Sequence, residues 1–274
     1  MKNETVKFQE KTFDTGEILL NYAEGGRPGT PLVLLHGLTG RWQNWLPFLS
    51  LLSAEWHFYA VDLRGHGKSE HPASGYLLPD YVGDVAAFLS QNFSTPVTLM
   101  GHSLGAVTAL FTAAKVPERV RALLLLEPPL FNFHTPIQGT PFLGYFSWVY
   151  ETIKSASSYE ELREQIKKSG LADANAIQSM VDTLHCLAPE TALAAVDDII
   201  FEGSDLVQAL QSLRCPALFL QGERSLGAAM WDEDADIVRM HSPQARVIRV
   251  SGIGHGFDEV WGTVLLNLRS LLLM

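Results

Sequence analysis

The chain has 274 residues, 47% of them hydrophobic and 18% charged, with a net charge of −10. That length and balance suit one large domain, or one domain with an inserted subdomain, with ample core. The acidic balance argues against nucleic-acid binding and against anionic membrane surfaces, so a small-molecule partner is expected. The first residues are polar and no apolar run approaches 18 residues, so neither a signal peptide nor a membrane span is expected and a cytoplasmic location fits. Two cysteines, Cys186 and Cys215, are too few for a disulfide framework and read as buried free thiols.

Residues 5–13 and 17–23 alternate in polarity around Asp14-Thr15-Gly16 and predict an antiparallel hairpin. Short apolar runs follow at 32–35, 57–61, 97–100, 122–126, 217–220 and 246–250, as expected of strands buried on both faces of a parallel sheet. Helix-length segments at 76–93, 104–115, 235–241 and 259–272 lie between or after them, so the fold class is α/β with βαβ units. The interval between 126 and 217 is too long for one crossover. It holds helical patterns at 142–154, 159–169, 172–187 and 189–199, read as a helical insertion above the sheet. Phe131, Phe133, Phe142, Tyr145, Phe146 and Trp148 cluster at its start, either as the insertion's own small core or as the lining of an apolar pocket.

Gly101-His102-Ser103-Leu104-Gly105 falls where a strand should turn sharply into a helix. A serine there is held in strained backbone with its hydroxyl over the sheet edge, and flanking glycines remove collisions. The helix N-terminus favours developing negative charge. Serine needs a base, and His255, in the glycine-rich Gly252-Ile253-Gly254-His255-Gly256 loop after the last strand, is the candidate. A tetrahedral oxyanion needs two N–H donors. Leu104 can supply one, and Leu38, after Leu35-His36-Gly37, the other. His36 reads as a structural hydrogen-bonder. No Cys/His/carboxylate ligand spacing appears, so neither a metal nor a cofactor is implied.

The segments His36-Gly37, Asp62-Leu63-Arg64-Gly65-His66-Gly67-Lys68-Ser69, Gly101-His102-Ser103-Leu104-Gly105, Pro117-Glu118-Arg119-Val120 and Gly254-His255 together resemble the α/β-hydrolase superfamily in order and spacing, over nearly the whole chain. The resemblance implies an α/β-hydrolase fold, a mostly parallel sheet with helices on both faces and a helical cap. It divides the chain into a core at 1–129 and 206–274 and a cap at 130–205. It also implies Ser103 as nucleophile, His255 as base, and Leu38 and Leu104 as oxyanion donors. His36, Trp42, His102, Phe131 and Trp148 are expected around the substrate pocket, and the chain is compatible with a homodimer. Serine rather than aspartate at position 103 speaks against dehalogenase and epoxide-hydrolase chemistry.

The family's usual acid position follows the 217–220 strand, but there the chain reads Gln221-Gly222-Glu223-Arg224-Ser225-Leu226, with no aspartate. Glu223 comes two residues early. Asp232, Glu233, Asp234 and Asp236 read as a helix N-terminal turn. Glu127, directly after the 122–126 strand, is the alternative and matches a variant arrangement of the family. A buried carboxylate at a strand end needs a partner. The expected function is hydrolysis of a carboxylic ester or lactone of a moderately apolar small molecule through an acyl-enzyme. The alternatives are a non-hydrolytic enzyme of the same fold, a cofactor-free oxygenase or haloperoxidase-like, and a small-molecule receptor.

Overall fold

The computed structural model describes residues 7–52, 55–257 and 260–271. Its centre is an eight-stranded sheet in the order β1-β2-β4-β3-β5-β6-β7-β8. The strands are β1 (Phe8–Asp14), β2 (Leu19–Gly26), β3 (Pro31–Leu35), β4 (His57–Val61), β5 (Val97–His102), β6 (Val120–Leu126), β7 (Ala217–Gln221) and β8 (Ala245–Arg249). The β1–β2 and β2–β4 pairs are antiparallel; every pair from β4–β3 to β7–β8 is parallel. The first strand of the expected hairpin begins at Phe8; residues 5 and 6 lie outside the described residues.

Both faces of the parallel strands are apolar because both are covered. Val33, Leu35, Leu99, Leu123 and Leu125 pack on one side with α2 (Leu78–Asn92), α3 (Leu104–Lys115) and α9 (Asp232–His241). Leu32, Leu34, Met100, Leu124 and Leu126 pack on the other with α1 (Leu46–Leu52) and α10 (Trp261–Leu271). This two-residue alternation between two buried faces is why the strands read as continuous runs. Residues 259 and 272 of the expected last helix lie outside the described residues. Two short helices, α1 and α8 (Leu206–Ser212), lack a sequence signal strong enough to be expected. α9 starts three residues early, with Asp232, Glu233 and Asp234 in its first turn.

Between β6 and β7 stand α4 (Pro141–Ser155), α5 (Tyr159–Ser169), α6 (Ile177–Leu184) and α7 (Pro189–Val196). They carry a separate core of Val149, Leu162, Ile166, Val181, Leu184, Leu187 and Ala192. Among the described residues no helix is long and apolar enough to cross a membrane. Cys186 and Cys215 are both free, and burial pushes the Cys215 thiol up to about 11.

Candidate active site

Ser103 sits between the end of β5 and the first residue of α3 with φ 54° and ψ −122°. Non-glycine residues rarely occupy this region, which costs on the order of 1–3 kcal/mol and persists only where the surroundings enforce it. The flanking glycines are what the turn requires. A Cβ on Gly101 would lie 2.2 Å from Gly105 O, and one on Gly105 would lie 2.2 Å from Leu35 O. The Ser103 N–H is held by Leu126 O at 2.9 Å, which ties the turn to the end of β6.

The loop after β3 passes directly beside this turn: a Cβ on Gly37 would be 3.1 Å from Ser103 Cβ. Its carbonyls are engaged away from the site. Gly37 O accepts from Gly40 N at 2.9 Å, and His66 Nε2 lies 2.6 Å from Leu38 O. His36 is fixed within the protein. Its Nε2 accepts from Leu63 N–H at 3.0 Å and its Nδ1 meets Gly37 O at 2.8 Å, while burial pushes its pKa well below the ordinary imidazole value. Leu104 N–H belongs to the first turn of α3, where N–H groups have no intrahelical partner.

The Asp62–Ser69 segment frames this loop. The buried Asp62 carboxylate accepts from Trp42 N at 2.7 Å, Asn21 Nδ2 at 2.8 Å and Lys68 N at 3.1 Å. Gly67, at φ 57°, comes so close that a Cβ would lie 2.2 Å from Asp62 Oδ2. Arg64 and Asp84, both buried, form a two-point pair at 2.6 and 2.8 Å.

Glu127 follows β6 at φ 49° and has no exposed surface. Its Oε1 accepts from Gly222 N at 2.6 Å. Its Oε2 accepts from Ala229 N at 2.5 Å and Met230 N at 3.3 Å, and lies 3.4 Å from His255 Nδ1. Three backbone N–H groups from the loop after β7 therefore cradle one carboxylate, leaving one edge of it toward His255. Glu223 turns the other way: its Oε1 accepts from Gly252 N at 2.7 Å on a partly exposed face. Its backbone N–H donates to Ile253 O at 2.8 Å, so the Glu223 segment straps the loop that carries His255. Ser225 and Leu226 are exposed in a short 3-10 turn. The cradle residues Ala229 and Met230 have no sequence signal, because only their backbone acts.

On its other side the strapped loop meets His102, whose ring lies 4.8 Å from the His255 ring and whose Nε2 is 2.7 Å from His255 O. Burial, reinforced by His255, pushes His102 down to about 3, so His102 is a neutral donor that holds the His255 backbone.

Ser103, His255, Leu38, Phe142 and Phe146 line two cavities in common. The narrow one, about 50 Å³, is walled by Phe131, Ile137, Ala194, Ala195, Ile200 and Phe201. The broad one, about 420 Å³, takes in His36, His102, Asn44, Trp45, Tyr145 and Trp261. Two residues expected at the pocket sit elsewhere. Trp42 lines neither cavity: its backbone N–H is anchored to Asp62 and its ring packs edge-on against Phe8 at 4.8 Å. Trp148 packs against the separate core of the inserted helices. Phe142, Tyr145 and Phe146 share one face of α4, and Trp148 is rotated off it by the helical period. The aromatic cluster thus divides between lining and core. Phe131 stacks between Phe142 at 5.4 Å and Trp231 at 4.5 Å.

The alpha/beta hydrolase fold family matches residues 30–170. A 2-(acetamidomethylene)succinate hydrolase of Mesorhizobium japonicum (strain LMG 29417 / CECT 9101 / MAFF 303099) is 31% identical over 268 residues, covering 92% of this chain and 91% of that one. A pimeloyl-[acyl-carrier protein] methyl ester esterase of Xanthomonas oryzae pv. oryzae (strain MAFF 311018) is 26% identical, covering 83% and 88%. The crystal structure of an E-2-(acetamidomethylene)succinate hydrolase superposes with a TM-score of 0.77 at 24% identity, covering 98% of this chain and all of that one. The chain belongs to the α/β-hydrolase fold family. Both of these relatives are hydrolases, which supports a hydrolase activity for this chain.

Proposed function

We propose that the protein is a serine hydrolase that cleaves a carboxylic ester or lactone of a moderately apolar small molecule. The observation that carries this reading is Glu127, which is buried, held by three N–H groups and 3.4 Å from His255 Nδ1. With Nδ1 directed at the carboxylate, Nε2 of His255 is the nitrogen available to Ser103, as a general base requires. Ser103 Oγ attacks the carbonyl carbon as His255 Nε2 takes its proton. The negative charge on the carbonyl oxygen is met by Leu38 and Leu104 N–H. The intermediate collapses, the leaving oxygen takes the proton from His255, and Ser103 holds the acyl group. Water, deprotonated by His255, then releases the acid and restores Ser103. Residues 130–205 act as a cap that keeps bulk water from the acyl-enzyme, and the apolar lining supports a moderately apolar substrate.

Ser103→Ala tests this directly against a panel of p-nitrophenyl esters and lactones. Turnover should fall by about five to six orders of magnitude, with the phosphonate-labelling burst of the wild-type protein lost. Turnover by Ser103→Ala within tenfold of wild type would instead favour a base-catalysed, non-hydrolytic use of His255 and Glu127.

A further inference from the structure

Among the described residues, three that are not glycine have positive φ: Ser103, Glu127 and Asp198, the last at 61°. Strained backbone concentrates where function demands a fixed geometry. Two of the three belong to the constellation above. The third owes its positive φ to the end of α7, where Ile199 N–H donates to Ala194 O at 3.0 Å and closes the helix; its side chain lines the narrow cavity that opens on Ser103. Its carboxylate is held in place by two neutral donors, Asn132 Nδ2 to Oδ1 at 2.8 Å and Ile137 N–H to Oδ2 at 3.2 Å. A carboxylate has about four acceptor positions, so roughly half remain for a ligand. Beyond Ser103, Asn132 and His255 the other side chains of its wall are apolar, and among the described residues neither cavity has a Lys or Arg in its lining. A volume of about 50 Å³ admits roughly three or four water-sized groups, which is the size of a short acyl chain.

We infer that Asp198 is a specificity-determining residue that reads the far end of the acyl chain. It favours a short chain ending in a hydrogen-bond donor, a hydroxyl or an ammonium group, and rejects one ending in a carboxylate. The inference rests on the proposed ester cleavage only in assigning the narrow cavity to the acyl side. A succinate-type acid would bring a second carboxylate beside Asp198 with no lysine or arginine in the lining to pair with it. A hydroxyl or ammonium would instead gain a charge-assisted hydrogen bond inside an apolar wall, where such bonds are strongest.

The experiment compares four ethyl esters of similar acyl length: butanoate, 3-hydroxypropanoate, 3-aminopropanoate and monoethyl succinate. In the wild-type protein the hydroxyl and ammonium esters should exceed monoethyl succinate in kcat/KM by roughly ten- to a hundredfold. Asp198→Asn keeps a residue type that tolerates positive φ. It should collapse that ratio to within about threefold. An unchanged ratio in the variant, or wild-type turnover of monoethyl succinate equal to the amino ester, overturns the inference. A separate arm titrates n-propylammonium and propanoate into both proteins by NMR and needs no catalysis. Tighter binding of the ammonium ion, lost in Asp198→Asn, supports the subsite even if no ester is cleaved, which would count against the ester reading alone. Equal binding of the two ions, or none, overturns the subsite whether or not esters are cleaved and whether or not the variant folds.

Discussion

Glu127 and Glu223 stand at the ends of neighbouring parallel strands, β6 and β7, and their fates are opposite. Glu127 is fully buried and cradled by three N–H groups with His255 at its open edge. Glu223 is partly exposed and spends its carboxylate on the Gly252 backbone. The difference lies in the backbone that receives the side chain. At the end of β6 the chain turns at positive φ into Pro128 and Pro129, aiming the carboxylate inward. The loop after β7 supplies N–H groups to that carboxylate. A charge becomes part of a site when a neighbouring strand's loop offers donors to hold it.

The largest expected effect comes from Glu127→Gln. Placing an amide NH₂ among backbone donors removes both the orientation and the charge that serve His255. The kcat should fall by about three to four orders of magnitude, with stability lower by about 1–3 kcal/mol. Activity near wild type would overturn the comparison. Gly222→Ala comes next. A Cβ there would lie 2.3 Å from Gly254 O, pushing the His255 loop away from the residue whose own N–H holds Glu127. Displacement of about 1 Å should lower kcat roughly a hundredfold, and single-turnover kinetics with a p-nitrophenyl ester would measure it.

The third prediction concerns pH. His36, His66 and His102 are buried and depressed, His66 to about 4 and His102 to about 3, below an unfolded value near 6.5. Between these values the unfolded chain binds protons that the native state does not, so ν_U exceeds ν_N and stability rises with pH. The stabilisation is complete above about pH 6.5 and is lost as pH falls toward the depressed values. Three such groups give about 4 kcal/mol per pH unit. Thermal melts at pH 7, 6 and 5 should show a falling Tm, and a flat Tm would contradict neutral burial of these rings. Glu223→Gln should do least. Its retained oxygen can still accept from Gly252 N, so activity should stay within about threefold and stability within about 0.5 kcal/mol. A loss approaching that of Glu127→Gln would move the acid back to β7.

Much of this architecture was legible in the chain. Helix α3 spans the segment expected for it after the Gly101–Gly105 turn, and β4 matches its apolar run. The sharp turn at Ser103 was legible because Gly101 and Gly105 leave no room for side chains. Trp42 and Trp148 were misplaced because an aromatic residue near a pocket motif says nothing about which way its ring faces. That depends on Asp62 in one case and on helical rotation in the other. Asp198 carried no signal at all, since an acid after a helix looks like a solvated end.

Local chemistry therefore determined the α/β fold, the strained serine turn and the two candidate carboxylates, because glycine sterics, apolar periodicity and residue type act over a few positions. Only the tertiary structure decided which carboxylate meets His255. That choice depends on backbone N–H groups at Gly222, Ala229 and Met230, about a hundred residues from Glu127, and a backbone N–H has no letter in the sequence.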